Sequence, residues 1–336
     1  MQRLQQHIRP SPVLEAPAAI GHNGAVPAVG QSRLEHSLTV EGHRSAAISV
    51  SVIVPHYQDL NGLALCLSAL EQQTYPREAF EIIVADNASP VGTQALETVI
   101  AGRARLEVVR DRGAGPARNG GATVARGEML AFTDSDCRPE PDWLAAGLKR
   151  LAGCDFVGGE MRVLVEDREQ MTAAEAFETV FAFDNANYVQ NKGFTVTANL
   201  FTSRRVFEAV GGFRTGVSED LDWSHRARDA GFRIGYAPDA VVGHPARRSW
   251  ADLKTKWGRL NAETYQLYRD RPGGRLRWLA RSLILPLSAL AHTPRVLATR
   301  RLRGIRTRLS ALGMLYRQRL WRCGDALGLL AGRAGR

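Results

Sequence analysis

The 336-residue chain is 44% hydrophobic and carries a formal net charge of +10, so it can bury a core for one large domain with appendages. Four scattered cysteines (Cys66, Cys137, Cys154, Cys323) form no CxxC pair. This argues against zinc-ribbon or dithiol chemistry and fits reduced, mostly buried thiols in a cytoplasmic chain. No 18-residue apolar stretch suggests a transmembrane helix, and MQRLQQHIRPSPVLEAP lacks the apolar centre of a signal peptide.

Residues 1–45 are rich in Pro, Gly, Ala, Ser and His without a period and read as a flexible leader. AAISVSVIVP (46–55) reads as a buried strand, followed by a helical pattern at 60–73. FEIIVADNAS (80–89) is a second strand ending in acid and turn residues. A helix over 91–102, a strand at 106–110 and a Gly-Pro-opened helix over 115–127 follow. EMLAFTDSD (128–136) is the fourth strand, 141–153 a helix and 154–165 a further strand. Such alternation predicts βαβ units and a mainly parallel sheet, with ligands beyond the carboxyl ends of its strands. PHYQD (55–59), DNAS (86–89) and DSD (134–136) then crowd one edge.

Beyond 165 the period changes. Residues 167–186 look helical, 191–214 mix a strand, a short helix and a Gly-Gly turn, 218–231 is a helix that Ser218 could cap, and 232–245 is strand-like. From 249 the chain is helical and basic. From Arg247 on, 21 Lys/Arg face 4 Asp/Glu, a charge of +17 that leaves −7 for residues 1–246. The expected organisation is a leader (1–45), an α/β domain (46–270) and a basic helical extension (271–336).

Neither GxGxxG nor GxxxxGK[ST] is present; GAGPARNGG (113–121) has a different spacing. Arg118 near a helix start can still hold an anion, the plainer reading being a solvated arginine. DSD after an apolar strand would put Asp134 and Asp136 on one face if strand geometry persists, where a hard cation with a diphosphate would satisfy them; the plainer reading is a solvated turn. SEDLDW (218–223) carries Glu219, Asp220 and Asp222, either favourable charge at a helix start or a general base. His244 follows an apolar strand, and a lone histidine there is more often structural; His56 and His225 have less support still.

In order, SVSVIVPHYQD (49–59), VADNAS (84–89), GPARNGG (115–121), FTDSDC (132–137), TANLFTSRRVFEAVGGFR (197–214), SEDLDWSHRARDAGFRI (218–234) and VVGHP (241–245) resemble the motifs of the family 2 glycosyltransferases, inverting enzymes of the GT-A fold. The resemblance covers roughly 48–258. It implies an α/β GT-A fold with a Rossmann-like sheet. It also implies a nucleotide-diphosphate sugar donor, a UDP-sugar, and Mg2+ or Mn2+. Pro55, His56 and Tyr57 would line the nucleotide pocket, Asp86 would accept from the base with Asn87 beside it, and Arg118 would lie near the nucleotide or diphosphate. Asp134 would meet the ribose, Asp136 would bind the metal, and His244 would add a metal or diphosphate contact. Asn199 would lie close to the donor sugar, Asp220 would be the base and Glu219 its support. The Q-x-x-R-W sequence of processive members is missing after His244, which implies transfer of one sugar or a few. Residues 172–194 are expected to shape the acceptor pocket.

A nucleotidyl-transfer enzyme is the first alternative, but PHYQDLNG (55–62) lacks its Gly-rich loop. A nucleic-acid binder using the basic tail is the second, and the chain shows no recognition module. Within the tail, SLILPLSALA (282–291) is too short to span a bilayer, and Pro286 should kink or interrupt it. Residues 299–322 mix apolar residues with many arginines and read as an interfacial helix on an anionic cytoplasmic leaflet, suiting a glycan or lipid-linked acceptor such as a cell-envelope precursor. The plainer reading packs this helix on the catalytic domain.

Overall fold

The computed structural model describes residues 48–332, so the expected leader lies outside the described residues. In chain order the elements are β1 (Val50–His56), α1 (Leu60–Glu71), β2 (Phe80–Asp86), α2 (Thr93–Ile100), β3 (Arg105–Val108), α3 (Ala114–Val124), β4 (Met129–Phe132) and β5 (Arg138–Pro139). Then come α4 (Trp143–Leu151), β6 (Phe156–Leu164), α5 (Ala173–Phe181), α6 (Asn185–Asn187), β7 (Leu200–Ser203), α7 (Arg204–Val210), α8 (Glu219–Asp229) and β8 (Ile234–Pro245). Three long helices close the chain: α9 (Trp250–Arg269), α10 (Gly274–Ala298) and α11 (Ile305–Leu330).

The eight strands form one sheet in the order β3-β2-β1-β4-β7-β6-β8-β5. The first four are parallel neighbours, as strand–helix alternation requires. β7 is antiparallel to both β4 and β6, β6 and β8 are parallel again, and β5 is an antiparallel edge the sequence did not reveal. β1 is buried along its whole length. Its Val50, Val52 and Val54 pack with Leu63, Leu67 and Leu70 of α1, while Ile53 faces Phe132, Phe156 and Trp223 on the other side. Helices on both faces are why this strand reads as an unbroken apolar run. Each such side chain contributes about 1.5–3 kcal/mol on burial.

Three expectations fail locally. The 167–186 pattern forms a shorter helix: Thr172 and Glu175 make a reciprocal cap, and the chain leaves the helix at Ala182, with Phe183 at φ 54°. Ser218 stands at the N-cap of α8, but its side chain makes no capping bond. α10 runs unbroken through Pro286 and Pro294. A helix-interior proline costs about 3 kcal/mol, and packing on both sides outweighs it. Before Pro286, Trp278 packs on Tyr265 and Tyr268 and donates its Nε1–H to the Ala326 carbonyl at 2.9 Å. After it, Ala289 and Val296 enter a core shared with Phe177, Leu253 and Leu315. The basic extension is thus built onto α5 and α9.

Candidate active site

β1, β2 and β4 run parallel and end at one edge of the sheet. The loops that follow surround a cavity of about 350 Å³, within the range of small-ligand sites. Pro55 and His56 line it from the end of β1 and Tyr57 from just beyond it, Asn87 from the loop after β2, and Asp134 and Asp136 from the loop after β4. Arg118 of α3 and Glu219 and Asp220 of α8 complete the predicted members. Two loops are held in strained backbone: Gln58 has φ 66° and Ala88 φ 49°, a left-handed geometry that costs a non-glycine residue about 1–2 kcal/mol. The Gln58 N–H donates to Ser89 Oγ at 2.9 Å and locks the two loops together. The Asn87 amide ties the same edge to the start of α3, donating to the Asp111 and Val109 carbonyls and accepting from the Gly113 N–H at 2.7 Å.

The acids come together by a route other than strand alternation. β4 stops at Phe132, so Asp134 and Asp136 lie in a turn, closed by the Cys137 N–H donating to the Asp134 carbonyl at 3.0 Å. That turn brings ligand atoms of Asp134, Asp136 and Cys137 within 4.8 Å of one another. Cys137 is an unsuitable ligand for a hard cation, because burial, then Asp134 and Asp136, keep its thiol protonated. Arg118 is only 3% exposed and forks between Asp134 and Glu219. Burial works against its charge, but Asp134, Glu219 and Asp220 outweigh burial and hold the guanidinium above its ordinary range. Gly115 permits this approach of α3 to α8: a Cβ there would lie 2.7 Å from Glu219 Oε2.

Asp136 has no such partner. Burial raises its pKa and Asp134 adds to the rise, opposed by His244. His244 Nε2 lies 3.6 Å from Asp136 Oδ2, and its Nδ1 faces the Pro245 carbonyl at 2.7 Å. With the proton on Nδ1, the Nε2 lone pair faces the carboxylate. Two lone-pair groups at this separation, beside Asp134, fit a shared hard divalent cation.

Asp220 accepts the Thr197 N–H at 2.9 Å. Burial, and then Glu219, raise its pKa from 3.8 to about 6, with Arg118 opposing. Asp222 points elsewhere and pairs with Arg226 at 2.9 Å and Arg214 at 3.6 Å. A second cavity of about 210 Å³ shares Ala114, Glu219, Asp220 and Arg259 with the first and is otherwise walled by Gly113, Gly115 and Pro116, the 214–218 loop, Leu260 and Glu263.

Three predicted residues stand off the cavity wall. Asp86 is buried behind it: one oxygen lies 2.8 Å from His56 Nδ1 and the other accepts the Ser89 N–H at 2.8 Å. It positions His56, whose Nε2 has no partner among the described residues. Asn199 is spent on the fold, accepting from Trp143 Nε1 at 2.9 Å and donating to the Glu160 and Ala240 carbonyls, so the structure places it as a core link. His244 reaches the site only through Asp136. Residues 172–194 line neither cavity; α5 is buried against α11, and its Glu178 pairs with Arg247 and Lys256. Sequence reasoning missed Thr197 and Arg259, which both line the first cavity. TANLF carries a signal for Thr197, but nothing local marks Arg259 among the other arginines.

Residues 51–215 match the family model Glycosyl transferase family 2. Glycosyltransferase AglE of Haloferax volcanii is 34% identical over 206 residues, 59% of this chain and 67% of that protein. The pre-mycofactocin glycosyltransferase of Mycobacterium tuberculosis is 24% identical over 271 residues, 72% of this chain and 54% of that protein. The chain thus spans about two thirds of the first relative's length and about half of the second's. Among solved structures, a mannosyltransferase of Pyrobaculum calidifontis in complex with GDP-Man and Mn2+ is similar in fold, with a TM-score of 0.56 and 21% identity, over 85% of this chain and 88% of that one.

Proposed function

The chain belongs to glycosyl transferase family 2, and from that premise we propose that it moves one sugar from a nucleotide-diphosphate donor, a UDP-sugar, to a hydroxyl acceptor with inversion at the anomeric carbon. The observation that carries this reading is the position of Asp220, a carboxylate with a raised pKa on the wall shared by two adjoining cavities. The larger cavity suits the donor and the smaller one the acceptor.

The nucleotide lies along Pro55, His56 and Tyr57, with Asn87 beside it. Asp86 acts through His56, which it orients. Asp136, with His244 behind it and Asp134 beside it, would hold Mg2+ or Mn2+; when bound, the cation supplies positive charge opposite the departing diphosphate. Asp134 is also the ribose contact. Arg118 fixes the spacing between Asp134 and the start of α8, and it holds the Glu219 side chain beside Asp220. Asp220 takes the acceptor hydroxyl proton as the new bond forms. A pKa of about 6 leaves it ionised yet more basic than an ordinary carboxylate at neutral pH. A single displacement needs one base and forms no bond to the protein.

The test is purified protein with Mn2+ and a panel of UDP-, GDP- and dTDP-sugars, scored by slow release of the nucleotide diphosphate. Release from UDP-sugars, lost in Asp136→Ala, supports the reading. Release from another nucleotide alone corrects the base. Pyrophosphate as the product overturns the reading in favour of nucleotidyl transfer.

A further inference from the structure

A surface helix ordinarily turns its apolar side inward. α10 buries one apolar side and carries a second one outward. Leu276, Leu283, Leu287, Leu290 and Leu297 follow one another at spacings of 7, 4, 3 and 7, all on one side of a 3.6-residue helix, and all are exposed, Leu276 by 71% and Leu287 by 64%. Ile284, Ala280, Ala291 and Pro294 fill the exposed side between them. The opposite side carries the buried Trp278, Ser282, Ala289 and Val296 that dock the helix. The outcome is a continuous apolar strip about 33 Å long at 1.5 Å per residue. Isolated exposed leucines need no explanation, but an aligned strip does.

The charges around it point to its occupant. No Asp or Glu occurs from Arg271 to Gly324. Arg275, Arg277, Arg295, Arg300 and Arg306 are exposed and join no ion pair among the described residues. An apolar strip with unpaired arginines at its ends matches the boundary of an anionic bilayer, acyl chains against the leucines and headgroups against the guanidinium groups. A second copy of this face is a poor match: apposed strips would bring together two sets of arginines with no carboxylate between them. No helix among the described residues is long and apolar enough to cross a membrane.

We propose that the outward side of α10 seats the protein on the surface of an anionic membrane. The proposal puts the membrane contact on α10, whereas the sequence expectation put it on residues 299–322. In α11 the exposed Ile305, Leu309 and Leu320 are dispersed, and Ala311, Met314 and Leu315 are buried. The proposal is independent of the reaction assigned above.

The experiment is vesicle flotation of the full chain with phosphatidylcholine alone and with about 30% phosphatidylglycerol, in low salt and in about 0.5 M salt. The expected result is flotation with anionic vesicles only, weakened by salt. Replacing Leu283, Leu287 and Leu290 together by Gln should reduce the bound fraction at least about tenfold. The Leu→Ala triple variant, which retains helix propensity, should show the same loss if the Gln variant does not fold. Arg277→Gln with Arg295→Gln should bind less and lose salt sensitivity. Equal flotation of parent and leucine variants, equal binding to neutral vesicles, or no binding at all overturns the proposal. So does a parent dimer that the leucine substitutions convert to a monomer, since the strip would then be a protein interface.

Discussion

The edge of the sheet and the outer side of α10 invert the usual placement of residues in opposite ways. At the sheet edge, Asp134, Asp136, Glu219 and Asp220 are drawn into a cavity where Arg118 is the buried counter-charge of Asp134 and Glu219. On α10, leucines stand in solvent while the helix docks through a tryptophan and small residues. In both places the fold leaves a group uncompensated, and the kind of group names what would complete it: a cation and diphosphate in one, an apolar phase in the other. The cavity owes its order to bonds with neighbours, whereas the strip owes its order to the packing of its opposite side. Substitutions can therefore separate chemistry from folding in the first region and docking from folding in the second.

The largest expected separation is at Asp220. Asp220→Asn keeps the acceptor oxygen for the Thr197 N–H and removes the base, so kcat should fall by about 10²–10⁴-fold. Folding should not suffer. The carboxyl holds its proton up to about pH 6, above the ordinary 3.8, so the ionised form is disfavoured in the folded state. Its cost grows between roughly pH 4 and 6 and is complete above that. At pH 7.5 the Tm of Asp220→Asn should equal or exceed that of the parent. Asp222→Asn, which loosens Arg226 and Arg214, should retain activity and lower Tm. The reverse pattern would exchange their roles.

Trp278→Ala should do the opposite of Asp220→Asn. It removes a side chain that is 1% exposed and the bond to Ala326, and should cost about 3–5 kcal/mol in urea unfolding. Activity per folded molecule should persist, because the residue touches neither cavity. Loss of activity at full stability would tie the helical layer to the chemistry.

The pH profile sharpens the assignment further. kcat/KM should fall tenfold per unit below about pH 6, where Asp220 takes up its proton, and this limb should vanish from the residual activity of Asp220→Asn. The smallest effect is expected on the outer strip: Leu287→Gln should change stability by no more than about 0.5 kcal/mol, measured in the same unfolding assay. A larger loss would mean that the strip is packed against part of the chain.

The strand–helix alternation through β6 was legible because buried parallel strands and amphipathic helices have distinct periods. DSD and SEDLDW were legible because acids at the end of an apolar run or the start of a helix are conspicuous. Their mutual arrangement was not. Arg118 reads as an anion holder near a helix start, and only tertiary packing makes it the fork between two acids. Arg259 reaches the cavity from a helix whose composition signals only a basic surface. Asn199 stands in a conspicuous segment, but its neighbours in space, Trp143 and Ala240, absorb its amide. In α10 the periodic leucines announce an apolar side, yet periodicity carries no information about whether that side meets the core. Pro286 suggests a break because its cost is local, while the contacts that outweigh it come from α9 and α11.

The fork of Arg118 has a consequence for how such a site can diverge. One buried guanidinium is shared by the turn after β4 and the first residue of α8. Lengthening either loop would move one carboxylate and strand half of a buried charge, at a cost of about 3–5 kcal/mol. Lysine offers no relief, since a single ammonium cannot present the same planar pair of donors. The two loops are therefore expected to vary in concert across descendants of this sequence, with drift in donor or acceptor preference displaced to walls that this guanidinium does not brace: the 214–217 segment and the α9 side chains Arg259 and Glu263.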